Sequence, residues 1–471
     1  MQQIPRHTEY RASGLAWVGD IPSHWQTRRN RFLFREVDSR SVHGQETHLS
    51  MSQIHGLVPS QSLGRKSLQS ESYAGGKLVA ESDLVLNRLK AHLGVFARAK
   101  QTGVISPDYS VFRSKSDVSV PYCELLFKTP FYVAEFRRRT KGIVEGFWRL
   151  YTDDFYDVSA LIPPRTEQDQ IVAYLRAQDV HIARLIKVKR DLIALLIEQK
   201  LRIIDHAVTR GINASVALKP SGIEWLGDVP NHWDVALVKH VADVRFSGVD
   251  KHSHDHEIPV RLCNYTDVYK NDKITDNMDL MRATATAGEI ARLTLKAGDV
   301  IITKDSETPD DIAVPAWVPE GLPGVVCAYH LGLLRPDPGR IEGEFLFRAI
   351  GSARIAEQFH LLATGVTRFA LGKHDVKNAV IALPPVEEQK AICKWIDDEC
   401  KPLEDAIQRA EEEIKLIREY RDRQIADVVT GQVDVRGWVP GPDDVVTEEA
   451  LAALGGDEEI DTDGEEDDGD D

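Results

Sequence analysis

At 471 residues, 42% of them hydrophobic, the chain is too long for one ordinary domain and suits two to four, each able to bury a core. No window approaches 18 uninterrupted apolar residues, and the opening MQQIPRHTEYRASG has no apolar run after a basic start, so neither a transmembrane helix nor a secretory signal is expected and a cytoplasmic location is. The formal net charge of −16 argues against nucleic acid only until it is mapped: fifteen of the 74 acidic residues and none of the 58 basic ones lie from Gly441 onward, which leaves residues 1–440 near −1 and makes polyanion binding a matter of local patches.

In chain order, the first legible element is SGLAWVGDIPSHW (13–25), whose pattern S-G-x-x-W-x-G-D-x-P-x-H-W returns 208 residues later as SGIEWLGDVPNHW (221–233). Its tryptophans, Trp17, Trp25, Trp225 and Trp233, are better assigned to core packing than to base stacking. A first variable region follows, with strand-length apolar runs bounded by Gly, Pro and Asp in KLVAESDLVLNRLKAHLGVFARA (77–99) and GVISPDYSVFRS (103–114). LIPPRTEQDQIVAYL (161–175) then opens a run of roughly 45 residues without glycine that ends at IDHAVTRG (204–211), and proline before and glycine after are helix start and stop signals.

The second half repeats the plan around a different middle. Its variable region holds VRLCNYTDVY (260–269), AGDVIITKDSE (297–307), GVVCAYHLGLLRP (324–336) and a predicted helix at 344–363. The histidines of DKHSHDH (250–256) resemble a metal cluster but are better read as a surface loop. ALPPVEEQKAICKWI (382–396) and IADVVTGQ (425–432) then match the first half at a constant offset of 221, so the second variable region is 13 residues longer. The two helices carry matched stripes: Ile182 with Leu403, Ile186 with Ile407, Ile193 with Ile414, Leu196 with Ile417, Ala207 with Val428. This predicts a two-stranded seam rather than two separate core faces. Lys200 and Arg421 fall on that seam and require an acid or a route to water. Pro402 predicts a kink or restart in the second helix. Five cysteines without a C-x-x-C pair read as free thiols, with Cys393 and Cys400 as packing residues. The tail GGDEEIDTDGEEDDGDD is expected to be disordered, a solvated tail rather than a DNA-mimicking arm.

These motifs, from residue 13 to about 436, resemble the DNA-specificity subunits of type I restriction–modification systems. The resemblance rests on G-x-x-W-x-G-x-x-P-x-H-W at Gly14 and Gly222 and Pro-Pro-x-x-Glu-Gln at Pro163 and Pro384. It rests also on DLVLNRLKAHLG and GVISPDYSVF in the first half, and on NYTDVYKND, GDVIITKDSETPDDIAVPA and VCAYHLGLLRP in the second. It implies an α+β fold with two β-rich target-recognition domains, 1–163 and 213–384, separated by two long helices (164–212 and 385–436) that form an antiparallel coiled coil. The plan is an internal pseudo-twofold repeat with a disordered tail over 437–471. The implied function is non-catalytic: each recognition domain reads half of an asymmetric bipartite site in double-stranded DNA, and the helices set the gap and dock two methyltransferase subunits, with motor-nuclease subunits completing the complex. S-adenosylmethionine, ATP and Mg would belong to those partners, with no cofactor or metal in this subunit and no membrane contact. The residues agree: there is no G-x-x-x-x-G-K-[ST], no G-x-G-x-x-G and no Asp/Asn-Pro-Pro-Tyr/Phe.

Arg, Lys and Asn are the side chains that read base edges or clamp phosphates. Candidates in the first half are Asn87, Arg88, Lys90 and His92 on a turn after a strand, and Arg137, Arg138, Arg139 and Lys141 with Arg149 as a dense basic run. In the second half they are Lys304, Ser306 and Thr308, and Thr364, Thr367, Arg368, Lys373 and His374, which correspond in position to 140–154. For each the competing reading is an ordinary solvated loop. Two other classes stay open: a stand-alone DNA-binding enzyme (nuclease or methyltransferase), for which Asp299 with Lys304 would be the metal-site pair, and a helical scaffold that never touches DNA.

Overall fold

The computed structural model describes residues 5–52, 56–63, 73–142 and 148–455, save the side chains of 448, 449 and 452. No helix among them is long and apolar enough to cross a membrane. Two helices dominate, Arg165–Arg210 with 46 residues and Val386–Val429 with 44, each about 65–70 Å long at 1.5 Å per residue. Both begin one residue after a Pro-Pro pair, and both are followed by a glycine at φ +77, Gly211 and Gly431, the left-handed C-terminal position that glycine fills without strain. The second helix runs through Pro402 without interruption, which corrects the expected restart.

The chain divides into two compact units inside these helices, not at their ends. One unit takes the chain up to Asp191 and from Ala410 onward, the other Leu192–Arg409. Each unit thus owns the start of one long helix and the end of the other. In the first unit the helices run antiparallel: Arg421 makes two hydrogen bonds with Asp179 (2.6 and 3.1 Å), and ten residues further along the first helix Lys189 meets Glu413, eight residues back along the second. In the other, Lys200 pairs with Glu404 at 2.7 Å. Both bases on the expected seam therefore meet an acid, and Ile182, Ile186, Ala410 and Ile414 of the two helices are buried.

In the first unit a four-stranded antiparallel sheet has the order Phe34–Val37, Tyr109–Ser114, Leu84–Asn87, Phe96–Arg98. In the second the order is Ala242–Phe246, Leu331–Pro336, Val300–Thr303, Pro315–Trp317, again all antiparallel. The strands Leu84–Asn87 and Val300–Thr303 read as continuous apolar runs because both of their faces are covered. Leu84 and Leu86 point into an aromatic core with Phe96, Phe112, Phe127, Phe136 and Phe155, while Val85 points into a second cluster with Leu49, Met51 and Val111. Likewise Val300 and Ile302 join Phe345 and Leu346, and Ile301 joins Val260, Leu262 and Leu333. An aspartate precedes each run and is locked in the same way: Asp83 takes two hydrogen bonds from Arg113 (2.8 and 2.7 Å), Asp299 two from Arg335 (2.8 and 2.6 Å). Asp299 is fully buried in this pair, so the nuclease-type pairing of Asp299 with Lys304 is absent.

The repeated sequences are the joint between sheet domain and helix. Glu167 of the first Pro-Pro-x-x-Glu-Gln accepts from the indole N–H of Trp25 (3.0 Å) and lies 2.8 Å from Nε2 of His24; Glu388 of the second lies 2.7 Å from Nε2 of His232. The neighbouring glutamines are buried. Gln168 donates to the Pro163 carbonyl and accepts from the Ser119 N–H (both 2.8 Å), and Gln389 donates to the Pro384 and Arg340 carbonyls (2.8 and 2.9 Å) and accepts from the Glu342 N–H (2.8 Å). Ser119 and Glu342 are the N-terminal cap residues of the helices Val120–Phe127 and Gly343–Ile350, so one side chain ties a helix start, a Pro-Pro turn and a domain core together. Trp25 and Trp233 are core residues, and Trp17 and Trp225 pack half-buried against the same cores.

Three further expectations change. The predicted helix at 344–363 is two, Gly343–Ile350 and Ala353–Leu362, parted at Gly351 and Ser352. The basic run at 137–139, for which no element was predicted, is the last turn of a helix, Pro130–Arg139. The tail expected to be disordered from 437 is placed as far as 455. His181 meets Asp444 at 2.7 Å, Arg184 donates to the Asp443 carbonyl at 3.0 Å, and Arg190 to those of Ala453 and Gly455. Residues 456–471 lie outside the described residues. All five cysteines are free and buried; burial pushes the Cys393 thiol up to about 12, as suits a packing residue.

Candidate nucleic-acid interface

Each unit brings its two candidate segments together at one place, the end of the doubly buried strand. In the first unit that strand ends at Asn87 and the next residue is Arg88, whose carbonyl accepts from the Leu150 N–H at 3.1 Å. Leu150 follows Arg149, which exchanges reciprocal backbone bonds of 2.9 Å with Lys141. In the second unit the strand ends at Thr303, the next residue is Lys304, and its carbonyl accepts from the Leu371 N–H at 2.8 Å. Leu371 leaves the hairpin in which Thr364–Gly365 pairs with Phe369–Ala370. The frame is common; the side chains on it differ.

In the first frame one carboxylate, Asp108, gathers two guanidiniums: Arg88 donates to its carbonyl at 2.6 Å and lies 3.6 Å from its carboxylate, and Arg149 lies 3.9 Å from it. His92 is half-buried with its ring edge-on to Trp148, 5.7 Å between centroids; burial pushes its pKa down, the nearby Arg137 adds to that, and a hydrogen bond to the Leu89 backbone opposes it. Arg137 is exposed. Arg138 and Arg139 are committed elsewhere: both bind the buried Glu135 (2.7–2.9 Å), and against the cost of burial they hold its carboxyl below the ordinary range. Lys141 is exposed and paired with Asp154 at 2.8 Å. Asn87 is corrected outright. It is buried, and its Oδ1 accepts from the Leu89 and Lys90 N–H groups (3.1 and 3.2 Å), so it shapes the turn that carries Arg88 and Lys90.

In the second frame the gathering carboxylate is Asp305, 2.8 Å from both Arg368 and Nδ1 of His330. Lys304 lies over the ring of Tyr329 at 4.2 Å and that of Phe246 at 5.6 Å; burial pushes its pKa down, and Asp305 opposes the shift. Tyr329 is 48% exposed and Tyr265 stacks on Tyr269, which gives this frame three aromatic faces that the first does not carry. Ser306 is buried in the strand pair with Phe369, its hydroxyl turned to Tyr265 and the Thr308 N–H, while Thr308, Thr364 and Thr367 are exposed. Lys373 and His374 begin the helix Lys373–Asn378, and the His374 ring pairs with Asn378 of that helix rather than with the Asp305 group. His252, His254 and His256 are exposed on their loop.

No family model matches the chain. Among curated proteins, the type I restriction enzyme MjaVIII specificity subunit of Methanocaldococcus jannaschii is 21% identical over 368 residues, 76% of this chain and 81% of its own length. The putative type I restriction enzyme MjaX specificity subunit of the same organism is 25% identical over 177 residues, 37% of this chain and 40% of its own. A chain solved in work on the structural basis of complex assembly and conformational transition of the type I R-M system shares the fold, with a TM-score of 0.59 at 14% identity over 88% of this chain and 99% of that one. Over three quarters of its length the chain is similar to a type I restriction enzyme specificity subunit.

Residue type alone missed half of these two clusters. Asp108, Asp305, Tyr329 and His330 were passed over because an acid near a polyanion reads as unfavourable and an aromatic reads as core. The signal was present in the motifs PDYSVF and AYHLGLLRP, which put each of Asp108 and His330 immediately before the strand that pairs with the central one.

Proposed function

We propose that the chain is the non-catalytic DNA-recognition and assembly subunit of a type I restriction–modification complex, and that the variable region of each unit reads one half of an asymmetric bipartite site. The observation that supports this best is the common frame, a strand end bonded through its next residue to a second segment, carrying unlike side chains: Arg88, Arg149, Asp108 and Trp148 on one, Lys304, Arg368, Asp305, Tyr329 and His330 on the other. A carboxylate that orients a guanidinium leaves its fork pre-set for a base edge and penalises the wrong acceptor pattern, the logic of direct readout. The pseudo-twofold repeat of two recognition domains, 1–163 and 213–384, belongs to this reading.

Each long helix contributes its two ends to different units, so in this reading helix length sets the gap between the half-sites. The first helix also carries an exposed apolar stripe at helical spacing, Leu185, Val188, Leu192 and Leu195, 42–63% exposed. We assign that face to docking of the methyltransferase subunits, whose S-adenosylmethionine chemistry, together with ATP- and Mg-dependent cleavage in the motor-nuclease subunits, lies outside this chain.

In the reconstituted complex, Arg149→Ala and Arg368→Ala are each expected to weaken binding to the specific duplex by about 5–150-fold and to relax preference in one half-site only. Arg137→Ala is expected to weaken binding to all duplexes alike and lower the salt slope by about one. Preferences unchanged by either of the first two variants would remove these frames from recognition. The competing enzyme reading is tested with the purified chain, DNA, Mg, ATP and S-adenosylmethionine, where robust cleavage or methylation would favour it.

A further inference from the structure

Away from both frames, the joint of the first unit holds a group with no counterpart in the second. His7 is 94% buried, and its Nε2 lies 3.8 Å from Oε1 of Glu167, whose Oε2 is 2.8 Å from Nε2 of His24. The three ligand atoms lie within 4.8 Å of one another. Around a tetrahedral zinc, with Zn–N and Zn–O bonds near 2.0–2.1 Å, ligand atoms stand about 3.3 Å apart, so small side-chain rotations suffice.

The surroundings are those of a metal site rather than of a hydrogen-bonded core. Nδ1 of His7 has no hydrogen-bond partner among the described residues, yet it faces Oδ2 of Asp434 at 3.7 Å. An anionic group on the Nδ1 side favours the proton on that nitrogen and leaves the Nε2 lone pair facing Glu167 and His24, and a small closure of the gap would give the outer-shell arrangement that orients ligating histidines. Arg436 donates two hydrogen bonds to the Asp434 carboxylate (2.9 and 2.7 Å), which fixes it in place beside His7. Trp25 donates to Glu167 as a second outer contact, and His24, about a third exposed, gives an ion its route in from solvent.

We infer that His7, His24 and Glu167 form a binding site for one zinc-class divalent transition ion, with water in the fourth position and Asp434 and Trp25 as orienting neighbours. The ion fastens the N-terminal segment to the start of the first long helix. The second unit keeps the His232–Glu388 pair, but the residue 208 positions after His7 is Ser215, so it offers no third ligand.

The test is zinc titration of the chelator-treated full chain by calorimetry, with cobalt as a visible probe of tetrahedral geometry. One site per chain is expected, absent with magnesium and retained in His254→Gln, which alters the exposed histidine loop. Weakening of about 10–100-fold is expected in both His7→Gln and, at the more exposed position, His24→Gln. Absence of zinc binding, or binding unaltered in both ligand variants, would overturn the assignment.

Discussion

Deletion of four residues from the middle of the first long helix alone, within 190–197, is expected to cost the assembled complex at least about 100-fold in affinity for its native site, or to shift the permitted gap. Four residues remove about 6 Å of rise and turn the remainder of the helix by roughly 40°. The pairs Asp179–Arg421 and Lys189–Glu413 in one unit and Lys200–Glu404 in the other could then no longer all form with their side chains on the seam. Each is a part-buried ion pair, where an abandoned charge costs more than an exposed one. The measurement is binding to duplexes whose half-site gap is varied one base pair at a time. Unchanged affinity and an unchanged gap would refute the helices as the spacer.

Gln389→Leu is expected to destabilise the chain by about 3 kcal/mol or more, lowering the melting temperature by roughly 10 °C, because one fully buried amide serves three backbone groups. Without it the Glu342 N–H and the Pro384 and Arg340 carbonyls lose that partner, and leucine offers none in its place. Gln389→Glu separates shape from chemistry: it keeps the volume and the acceptor but loses the donor to both carbonyls, and is expected to fall between the two. Differential scanning calorimetry checks both. A Gln389→Leu protein that melts with the wild type would show that the joint is not what holds sheet domain to helix.

How much of this was legible depends on the demand placed on each residue. The joint was visible because His24, Trp25, Glu167 and Gln168 must each meet a particular partner, and the same demand recurs on His232, Glu388 and Gln389, while Trp233 keeps only the packing role, its indole N–H having no hydrogen-bond partner among the described residues. The helices were visible because proline and glycine mark their ends by backbone geometry alone. The shared sheet order was not. Leu84, Val85 and Leu86 need only be apolar to fill two cores, as do Val300, Ile301 and Ile302, so sequence drifts while topology holds. Side-chain direction was the main loss at the candidate sites. Asn87 and Ser306 are the right residue types, but they point inward, and nothing in composition says so. Arg138 and Arg139 were readable in principle, since Glu135 stands three and four residues before them on what proves to be a helix.

The most direct test of the central claim is adenine methylation mapped across the genome of the source cell, with the gene intact and with it deleted. A specificity subunit with two unlike readers predicts that one asymmetric bipartite motif, methylated throughout in the first genome, is unmethylated in the second. Identical methylation maps, or loss of a single contiguous motif, would contradict it.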